Sequence, residues 1–338
     1  MSSGSDRSER QTSGRDACIR ALQAVMAAHP LTARRTTSAQ TAALVSAASL
    51  AGVLVGLIGR GIQQSRTPMM HEREAARLGL DCAYILVDFD ALRLPDAALP
   101  DILAAGAALG FQGFNVTHPF KQQILPHLDA LSPEAAAIGA VNTVVYAGAG
   151  ATTTGHNTDC WGFAESFRAG LSDVPLRQVV QFGAGGAGAA VAYALMQLGV
   201  ERLEIVDTDP ARAQALAAHM RRDWGERVQA GAGTAETRES LLESLLGWTD
   251  GIVNTTPVGM AKYPGTPFPA ALLRRHHWVA EIVYFPQETE LLRAARALGC
   301  RTLAGTGMAI GQAVRAFELF TGRKSDMAAM ATHFAAAA

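Results

Sequence analysis

Short apolar runs alternate with helical periodicity along most of the chain. Residues 53–58, 83–88, 111–116 and 141–146 are rich in aliphatic and aromatic side chains and each predicts a buried strand, whereas residues 101–109 predict a helix. Strands that alternate with helices in this way are typical of a parallel sheet. The pattern therefore predicts an α/β fold.

The middle of the chain repeats this pattern around a glycine-rich turn. A predicted strand at residues 178–182 precedes the turn, and an apolar helix to Leu198, a stop at Gly199 and a second strand at 203–206 follow it. A strand, turn, helix and strand in this order predict a βαβ crossover. Later strands of the same sheet and a closing helix are predicted at residues 251–254, 277–281 and 309–320.

The first 50 residues have a different character. Ser, Thr, Arg and Gln are frequent in residues 1–40 and apolar periodicity is weak, so we expect residues 1–50 to form a poorly ordered extension. Residues 36–59 contain no charged side chain and are long enough to cross a bilayer. They are mostly small residues before the apolar run at 53–58, which favours a buried strand over a transmembrane or signal segment.

The composition excludes several classes of function. Of the 338 residues, 49% are hydrophobic and 17% are charged, and the formal net charge is −1. These values exclude a disordered chain and provide no basic excess for a nucleic-acid partner. The four cysteines are widely spaced and include no Cys-x-x-Cys pair, so a set of disulfide bonds is not expected. Free cysteines are typical of the reducing cytoplasm, which is therefore the predicted location. Since the chain also lacks a His-Glu-x-x-His helix, no metal site is predicted.

The glycine-rich turn fits a dinucleotide-binding motif. Gly183, Gly185 and Gly188 match Gly-x-Gly-x-x-Gly directly after the predicted strand and at the start of the helix. The first glycine permits the tight turn, the second lets the backbone approach a pyrophosphate, and the third lets helix and strand pack closely. The free N–H groups of the helix N-terminus attract phosphate oxygens. A similar turn that binds no nucleotide is the alternative.

An acidic residue after the second strand favours NAD over NADP. Asp207 follows Gly183 by 24 residues, near the expected offset of about 20. Its carboxylate can accept hydrogen bonds from the adenosine ribose and would repel a 2′-phosphate, and Asp209 adds negative charge nearby. Arg212 could instead meet a 2′-phosphate or stack on adenine. NAD is therefore predicted, with NADP as the alternative.

Four further segments place small polar groups beside the predicted strand ends. Each segment has an ordinary structural interpretation when it is taken alone: Ser65 and Thr67 could cap the helix near Pro68, Lys121 could be a solvated helix residue, and Asn142 a turn residue. Asp159 could be a helix N-cap. The four segments are residues 64–68, 115–121, 140–143 and 155–159.

Taken together, these segments carry a family resemblance. The chain contains Gly-Phe-Asn-Val-Thr-His-Pro-Phe-Lys (113–121), Gly-Ala-Val-Asn-Thr (139–143), Gly-His-Asn-Thr-Asp (155–159), Gly-Ala-Gly-Gly-Ala-Gly (183–188), Asn-Thr-Thr-Pro-Val-Gly-Met (254–260) and Gly-Thr-Gly-Met-Ala-Ile-Gly-Gln (305–312). In this order and spacing the motifs resemble the shikimate/quinate dehydrogenase family over residues 51–325.

The resemblance implies two domains with a cleft between them. A smaller α/β substrate domain would occupy residues 51–157, and a Rossmann NAD-binding domain residues 158–304. A C-terminal helix at residues 305–330 would return to the substrate domain, and residues 1–50 would remain an extension. The expected ligand is a polyhydroxylated cyclohexane or cyclohexene carboxylate.

The resemblance also implies a role for individual residues. Lys121 and Asp159 would form the catalytic pair. Lysine can accept a hydroxyl proton where partial burial favours its neutral form, and an adjacent aspartate can hold it in position. The other implied substrate contacts are Ser65 and Thr67 for the carboxylate, Thr117, Asn142 and Gln312 for ring hydroxyls, and Tyr284 beside the substrate. The implied cofactor-binding residues are Gly183, Gly185, Gly186, Ala187, Gly188, Asp207, Arg212, Thr255, Pro257, Val258, Gly259, Met260, Val283 and Gly305.

Departures from the commonest family pattern indicate one branch of the family. The chain has Thr67 where biosynthetic members usually have a second serine. It also has the triplet Asp207-Thr208-Asp209 where they usually have Asn-Arg-Thr, whose arginine grips the 2′-phosphate of NADP. Both changes resemble the NAD-dependent quinate/shikimate dehydrogenases. A third departure, Glu281 in place of a frequent aspartate, is expected to matter little.

The sequence therefore predicts a cytoplasmic enzyme that uses NAD to oxidise quinate to 3-dehydroquinate and shikimate to 3-dehydroshikimate. We expect a monomer or homodimer with a small-molecule substrate and without a membrane or nucleic-acid partner. Alternatives are an NADP-dependent shikimate dehydrogenase of aromatic amino-acid biosynthesis, an aminoshikimate-type dehydrogenase, and a non-catalytic sensor of quinate or NAD. The remaining alternative, a membrane protein, is supported by residues 36–59 alone.

Overall fold

The computed structural model describes residues 3–28, 52–147, 152–231 and 238–336. The chain forms two compact units. Unit 1 comprises Met1–Ala136, Val141–His156 and Ala313–Ala338, and unit 2 comprises Ala137–Ala140 and Asn157–Gln312.

The described residues form twelve strands and twelve helices, short 3₁₀ turns aside. The strands are β1 Gly52–Gly59, β2 Asp81–Asp88, β3 Gly113–Val116, β4 Ala130–Leu131, β5 Thr143–Ala147, β6 Thr152–His156, β7 Gln178–Phe182, β8 Arg202–Val206, β9 Val228–Ala230, β10 Gly251–Asn254, β11 Trp278–Glu281 and β12 Arg301–Leu303. The helices are α1 Ser3–Ala28, α2 Thr67–Arg77, α3 Leu99–Ala108, α4 Phe120–Gln123, α5 Pro133–Ile138, α6 Thr158–Gly170, α7 Gly186–Gln197, α8 Pro210–Trp224, α9 Arg238–Trp248, α10 Glu290–Ala297, α11 Thr306–Thr321 and α12 Met327–Ala335.

Unit 1 contains a mixed six-stranded sheet in the order β2-β1-β3-β5-β6-β4. β1 is parallel to β2 and β3, and β4 is parallel to β6, whereas β5 is antiparallel to both of its neighbours. The first three strands are almost entirely apolar, as is typical of strands covered on both faces. Because these three strands are parallel, their carboxyl ends meet at one edge of the sheet, and the predicted residues Ser65 and Thr67 follow β1 while Thr117 and Lys121 follow β3.

The N-terminal segment differs from the expected disordered extension. Residues Ser3–Ala28 form helix α1, and Cys18, Leu22 and Met26 are buried in the core of unit 1 with side chains of α3. These three residues recur every four positions and so lie on one helix face. Residues 1–2 and 29–51, which include most of the uncharged stretch, lie outside the described residues.

No helix among the described residues has both the length and the hydropathy that a bilayer span requires. The apolar run predicted as a buried strand is β1, which confirms that part of the sequence interpretation.

Unit 2 contains a fully parallel six-stranded sheet in the order β12-β11-β10-β7-β8-β9. This is the strand order of the doubly wound dinucleotide-binding fold, and the order reverses between β7 and β10. Ligands of such sheets bind outside the carboxyl ends of the strands at that reversal. The α/β fold with a Rossmann domain is therefore confirmed.

Candidate active site

The turn after β7 has the geometry that its glycines predict. Gly183 has φ +103°, a region that side chains other than glycine rarely adopt. A Cβ atom on Gly188 would lie 2.4 Å from the carbonyl oxygen of Gly183, so α7 can approach the strand only without it. The side chain of Gln181 donates to the carbonyl oxygens of both glycines at 2.9 Å. Gln181 is buried and holds the two ends of the turn together through these bonds, a role that the sequence alone did not indicate.

The second glycine of the motif faces open space. A Cβ atom on Gly185 would meet no atom of the described residues within 4 Å. Gly185 is the N-cap of α7, and Gly186 and Ala187 begin the helix, where the first N–H groups have no partner within the helix. Backbone donors at a helix N-terminus, next to a glycine with open space beside it, match what a pyrophosphate requires. The turn therefore fits a dinucleotide.

Asp207, directly after β8, is bound to the glycine-rich turn. The Ala184 N–H donates to Asp207 Oδ2 at 2.7 Å, and the Asp209 N–H donates to Asp207 Oδ1 at 2.9 Å. Asp209 caps α8, and Arg212 is exposed and lies 3.5 Å from the Asp209 carboxylate. Two carboxylates and one guanidinium that is already paired make this corner unfavourable for an additional phosphate.

The predicted cofactor residues after β10 lie in a loop organised by Asn254. Asn254 Oδ1 accepts from the N–H and the hydroxyl of Thr256, at 3.0 and 2.7 Å, and Asn254 Nδ2 donates to the Val258 carbonyl oxygen at 2.8 Å. The Thr255 hydroxyl donates to the Phe182 carbonyl oxygen at 2.7 Å. The remaining predicted residues complete the loop, with Pro257 and Met260 exposed and Gly259 buried.

Glu281 at the end of β11 holds this loop from inside the unit. Its carboxylate accepts from Asn254 Nδ2 at 2.9 and 3.0 Å, from the Val283 N–H at 3.0 Å and from the Thr289 hydroxyl at 3.1 Å. The residue is 1% exposed. Burial raises the pKa of Glu281 to about 7, and the hydrogen bonds oppose that rise. Glu281 therefore fixes the Asn254 loop through four hydrogen bonds, and the expectation that glutamate in place of a frequent aspartate matters little stays a prediction.

The other predicted residues of unit 2 take varied positions. Gly305 is required where it stands, because a Cβ atom would lie 2.4 Å from the Ile282 carbonyl oxygen. Tyr284 is 40% exposed. The Gln312 side chain is half-buried and donates to the Ala309 carbonyl oxygen of its own helix at 3.0 Å.

Asp159 lies in the first turn of α6 and is buried. It is not the N-cap, since Asn157 occupies that position and accepts from the Cys160 N–H at 3.2 Å. Asn157 Nδ2 also donates to the Ala140 carbonyl oxygen at 2.9 Å, which fixes the start of the helix.

In unit 1, Ser65 and Thr67 place two hydroxyls at the start of α2. Their oxygens are 3.2 Å apart, and the Thr67 N–H faces Ser65 Oγ at 3.3 Å. Neither residue is the N-cap, which is Arg66, whose side chain does not cap the helix. The preceding loop is tied to buried Asp88, which accepts from the N–H groups of Gly61 and Ile62 at 3.0 and 3.1 Å.

Thr117, Lys121 and Asn142 belong to one small region of unit 1. Asn142 is buried, and its carbonyl oxygen accepts from the Val116 N–H at 2.7 Å, one residue before Thr117. The Val141 N–H donates to the Lys121 carbonyl oxygen at 2.8 Å, one residue before Asn142. Lys121 is half-buried on α4 rather than a fully solvated helix residue. The region joins an amine, an amide and a hydroxyl beside the strand ends.

Within the described ranges, no group of three or more His, Cys, Asp or Glu side chains could hold a metal ion.

Family models match both units. A model of the shikimate dehydrogenase substrate binding domain matches residues 57–144, and a model of the shikimate 5′-dehydrogenase C-terminal domain matches residues 305–332. A model of the saccharopine dehydrogenase NADP binding domain matches residues 179–259.

Two curated relatives and one solved structure are similar over most of the chain. Shikimate dehydrogenase (NADP(+)) of Streptomyces avermitilis is 54% identical over 273 residues, 81% of this chain and 91% of that protein. Quinate/shikimate dehydrogenase (NAD(+)) of Corynebacterium efficiens is 49% identical over 282 residues, which are 83% of this chain and 97% of that protein. The structure of quinate dehydrogenase from Corynebacterium glutamicum in complex with NAD has a TM-score of 0.78 and 48% identity, covering 84% of this chain and 99% of that one.

Proposed function

Because the chain belongs to the shikimate/quinate dehydrogenase family, we propose that it oxidises quinate to 3-dehydroquinate and shikimate to 3-dehydroshikimate with NAD. The reaction is reversible. The observation that carries the choice of cofactor is the position of Asp207 on the glycine-rich turn, with Asp209 two residues away.

A bound NAD would supply the hydride acceptor for the ring carbon that bears the reacting hydroxyl. The backbone N–H groups of residues 184–188 hold its pyrophosphate, and Asp207 accepts hydrogen bonds from the adenosine ribose. The Asn254 loop and Val283 bind the remainder of the dinucleotide. These roles agree with the open space at Gly185 and with the loop contacts described above.

Lys121 and Asp159 handle the proton of the reacting hydroxyl. As the hydride leaves, the Lys121 side chain accepts that proton as the general base, and Asp159 is the second member of the proton-transfer pair. Ser65 and Thr67 bind the carboxylate, and Thr117, Asn142 and Gln312 bind the other hydroxyls. A substrate with many hydroxyl groups requires one polar partner for each, because an unpaired buried hydroxyl costs about 1–3 kcal/mol.

The cofactor preference is tested by restoring the usual biosynthetic triplet. The variant D207N/T208R/D209T removes two carboxylates and adds a guanidinium directly after β8, beside the glycine-rich turn. We expect its kcat/KM ratio for NADP over NAD to rise at least about 100-fold, since the exchange alters several charge contacts that each contribute about 1 kcal/mol or more. A ratio that stays at the parental value would refute the role of Asp207.

The catalytic role is tested with Lys121→Ala. Proton transfer by a positioned side chain contributes about 10²–10⁴ in rate, so the variant should lose kcat by that factor. Its NAD affinity, measured by fluorescence titration, should match the parent. Gln122→Ala, which changes the exposed neighbour on α4, is the matched control and should keep full turnover. A Lys121→Ala enzyme as fast as the parent would exclude this mechanism.

An NADP-dependent shikimate dehydrogenase is the second candidate, favoured by the 54% identity to the Streptomyces protein of that name. We also propose a cytoplasmic location and a monomeric or homodimeric state. The four buried cysteines are free thiols, as is common in reducing compartments.

A further inference from the structure

A line of buried polar side chains crosses the sheet of unit 1 on one face. Tyr84 on β2, Asn115 on β3 and Thr143 on β5 are each at most 3% exposed. Tyr84 pairs with Val55 of β1, and Asn115 pairs with Leu57 two residues further along, so both side chains lie on one face. Asn115 is in register with Thr143 across the antiparallel pair.

Hydrogen bonds join these side chains in one direction. The Tyr84 hydroxyl donates to Asn115 Oδ1 at 2.7 Å. Asn115 Nδ2 donates to Thr143 Oγ1 at 3.0 Å and to the Asn142 carbonyl oxygen at 3.4 Å. The Thr143 hydroxyl in turn donates to Asn142 Oδ1 at 3.1 Å. The series therefore ends on the side-chain amide of Asn142.

The chemistry of the groups fixes the direction of the first bonds. A backbone carbonyl oxygen can only accept, so the Asn115 atom that faces it is the amide nitrogen. Asn115 Oδ1 is then the acceptor for Tyr84. Burial raises the pKa of the Tyr84 hydroxyl well above its ordinary value, which keeps its proton in place.

We propose that Tyr84, Asn115 and Thr143 are positioning residues that fix the orientation of the Asn142 amide for substrate recognition. With Oδ1 bound by Thr143, a half-turn of the amide would place an N–H group against the hydroxyl that now donates to it. The donor nitrogen of Asn142 thus keeps one position relative to a ring hydroxyl of the substrate. This inference rests on the proposed role of Asn142 in binding quinate and shikimate.

Thr143→Val tests the last step of the series, because it removes the hydroxyl and keeps the branched shape. We expect the KM for quinate and shikimate to rise about tenfold, the loss typical of one hydrogen bond. The Kd for NAD, measured by fluorescence titration, should stay within about twofold of the parent, since Thr143 belongs to unit 1. Thr143→Ser restores the hydroxyl and should return the KM to near the parental value.

Tyr84→Phe tests the start of the series, and Tyr146→Phe is its matched control. The Tyr146 hydroxyl also makes a 2.7 Å hydrogen bond within unit 1, but it donates to the Leu103 carbonyl oxygen. Both variants lose one hydroxyl in the same unit. Tyr84→Phe should raise the substrate KM, whereas Tyr146→Phe should leave it unchanged. Equal effects on KM would show that the change acts through general stability and would overturn the proposal.

Asn142→Ala separates this inference from the proposed function. If Asn142→Ala leaves the substrate KM unchanged, the proposed role of Asn142 fails. If it raises the KM while Thr143→Val does not, the role of Asn142 stands and the positioning series is wrong. In the double variant, Thr143→Val should add no further increase to that of Asn142→Ala. A further tenfold increase would mean that Thr143 acts independently of Asn142, which also contradicts the proposal.

Discussion

Replacing Glu281 with Gln should change how the stability of unit 2 depends on pH. The Glu281 carboxyl is buried beneath the Asn254 loop, and burial raises its pKa from 4.5 to about 7. The folded protein therefore retains a proton on Glu281 that the unfolded chain releases near pH 4.5. This contribution to stability is complete below pH 4.5 and is lost as the pH rises through about 7.

The size of the effect follows from the two pKa values. A pKa of about 7 against an ordinary 4.5 corresponds to about 3 kcal/mol. Glutamine is neutral at every pH and has no such contribution. The free energy of unfolding of the parent, minus that of the Glu281→Gln variant, should therefore fall by about 3 kcal/mol between pH 4.5 and pH 8. All groups shared by the two proteins cancel in this difference.

The tryptophans make unit 2 directly observable. All four of them, Trp161, Trp224, Trp248 and Trp278, belong to this unit. Urea denaturation followed by tryptophan fluorescence at several pH values between 4.5 and 8 therefore gives the required difference. Parallel pH profiles for the parent and the variant would refute the assignment of a proton to folded Glu281. A difference that grows with pH would reverse its sign and refute the argument from burial.

Three further substitutions follow from the same geometry. Gly188→Ala places a Cβ atom against the Gly183 carbonyl oxygen, so it should cost about 1–3 kcal/mol of stability in urea denaturation. Gly185→Ala meets open space at φ −78°, so it should keep parental stability and weaken NAD binding in a fluorescence titration. Glu74→Gln should loosen helix α12, because the buried Glu74 carboxylate accepts hydrogen bonds from the Arg77 side chain and from the Asp326 N–H. Burial alone would raise the pKa of Glu74, but these hydrogen bonds lower it to about 2. The ionised Glu74 carboxylate stabilises the fold above pH 4.5, and this stabilisation disappears as the pH falls towards 2. Hydrogen exchange in Met327–Ala335 should therefore be faster in the Glu74→Gln variant than in the parent at pH 7, and the two rates should converge at low pH.

The sequence predicts most of the fold because the buried strands are short and mostly apolar runs. The predicted strands at residues 178–182 and 251–254 are β7 and β10 with the same bounds. Helix α1 was not predicted, since its apolar positions, Cys18, Leu22 and Met26, are too few in a polar segment to dominate the pattern. What stabilises the helix is tertiary packing on the core of unit 1, which local sequence does not reveal.

The side chains that support the candidate site were harder to predict than the candidate site residues themselves. Gln181, Tyr84 and Asn115 lie within apolar strands, where one polar residue carries no local signal about its partner. Their hydrogen bonds connect residues on different strands that are 28 or 31 positions apart in the sequence, or reach forward to the turn that follows the strand. Glu281 follows the same rule, because Asn254 and Thr289 are its neighbours only after β10 and β11 pair. Buried polar networks are a product of the assembled sheet.

Initial rates with quinate and shikimate, each with NAD and NADP, test directly whether the protein is an NAD-dependent quinate/shikimate dehydrogenase. We expect turnover of both substrates with NAD and a much lower kcat/KM with NADP, because Asp207 and Asp209 place two carboxylates beside the glycine-rich turn. Turnover confined to shikimate with NADP would contradict this expectation and would assign the enzyme to the NADP-dependent shikimate dehydrogenases.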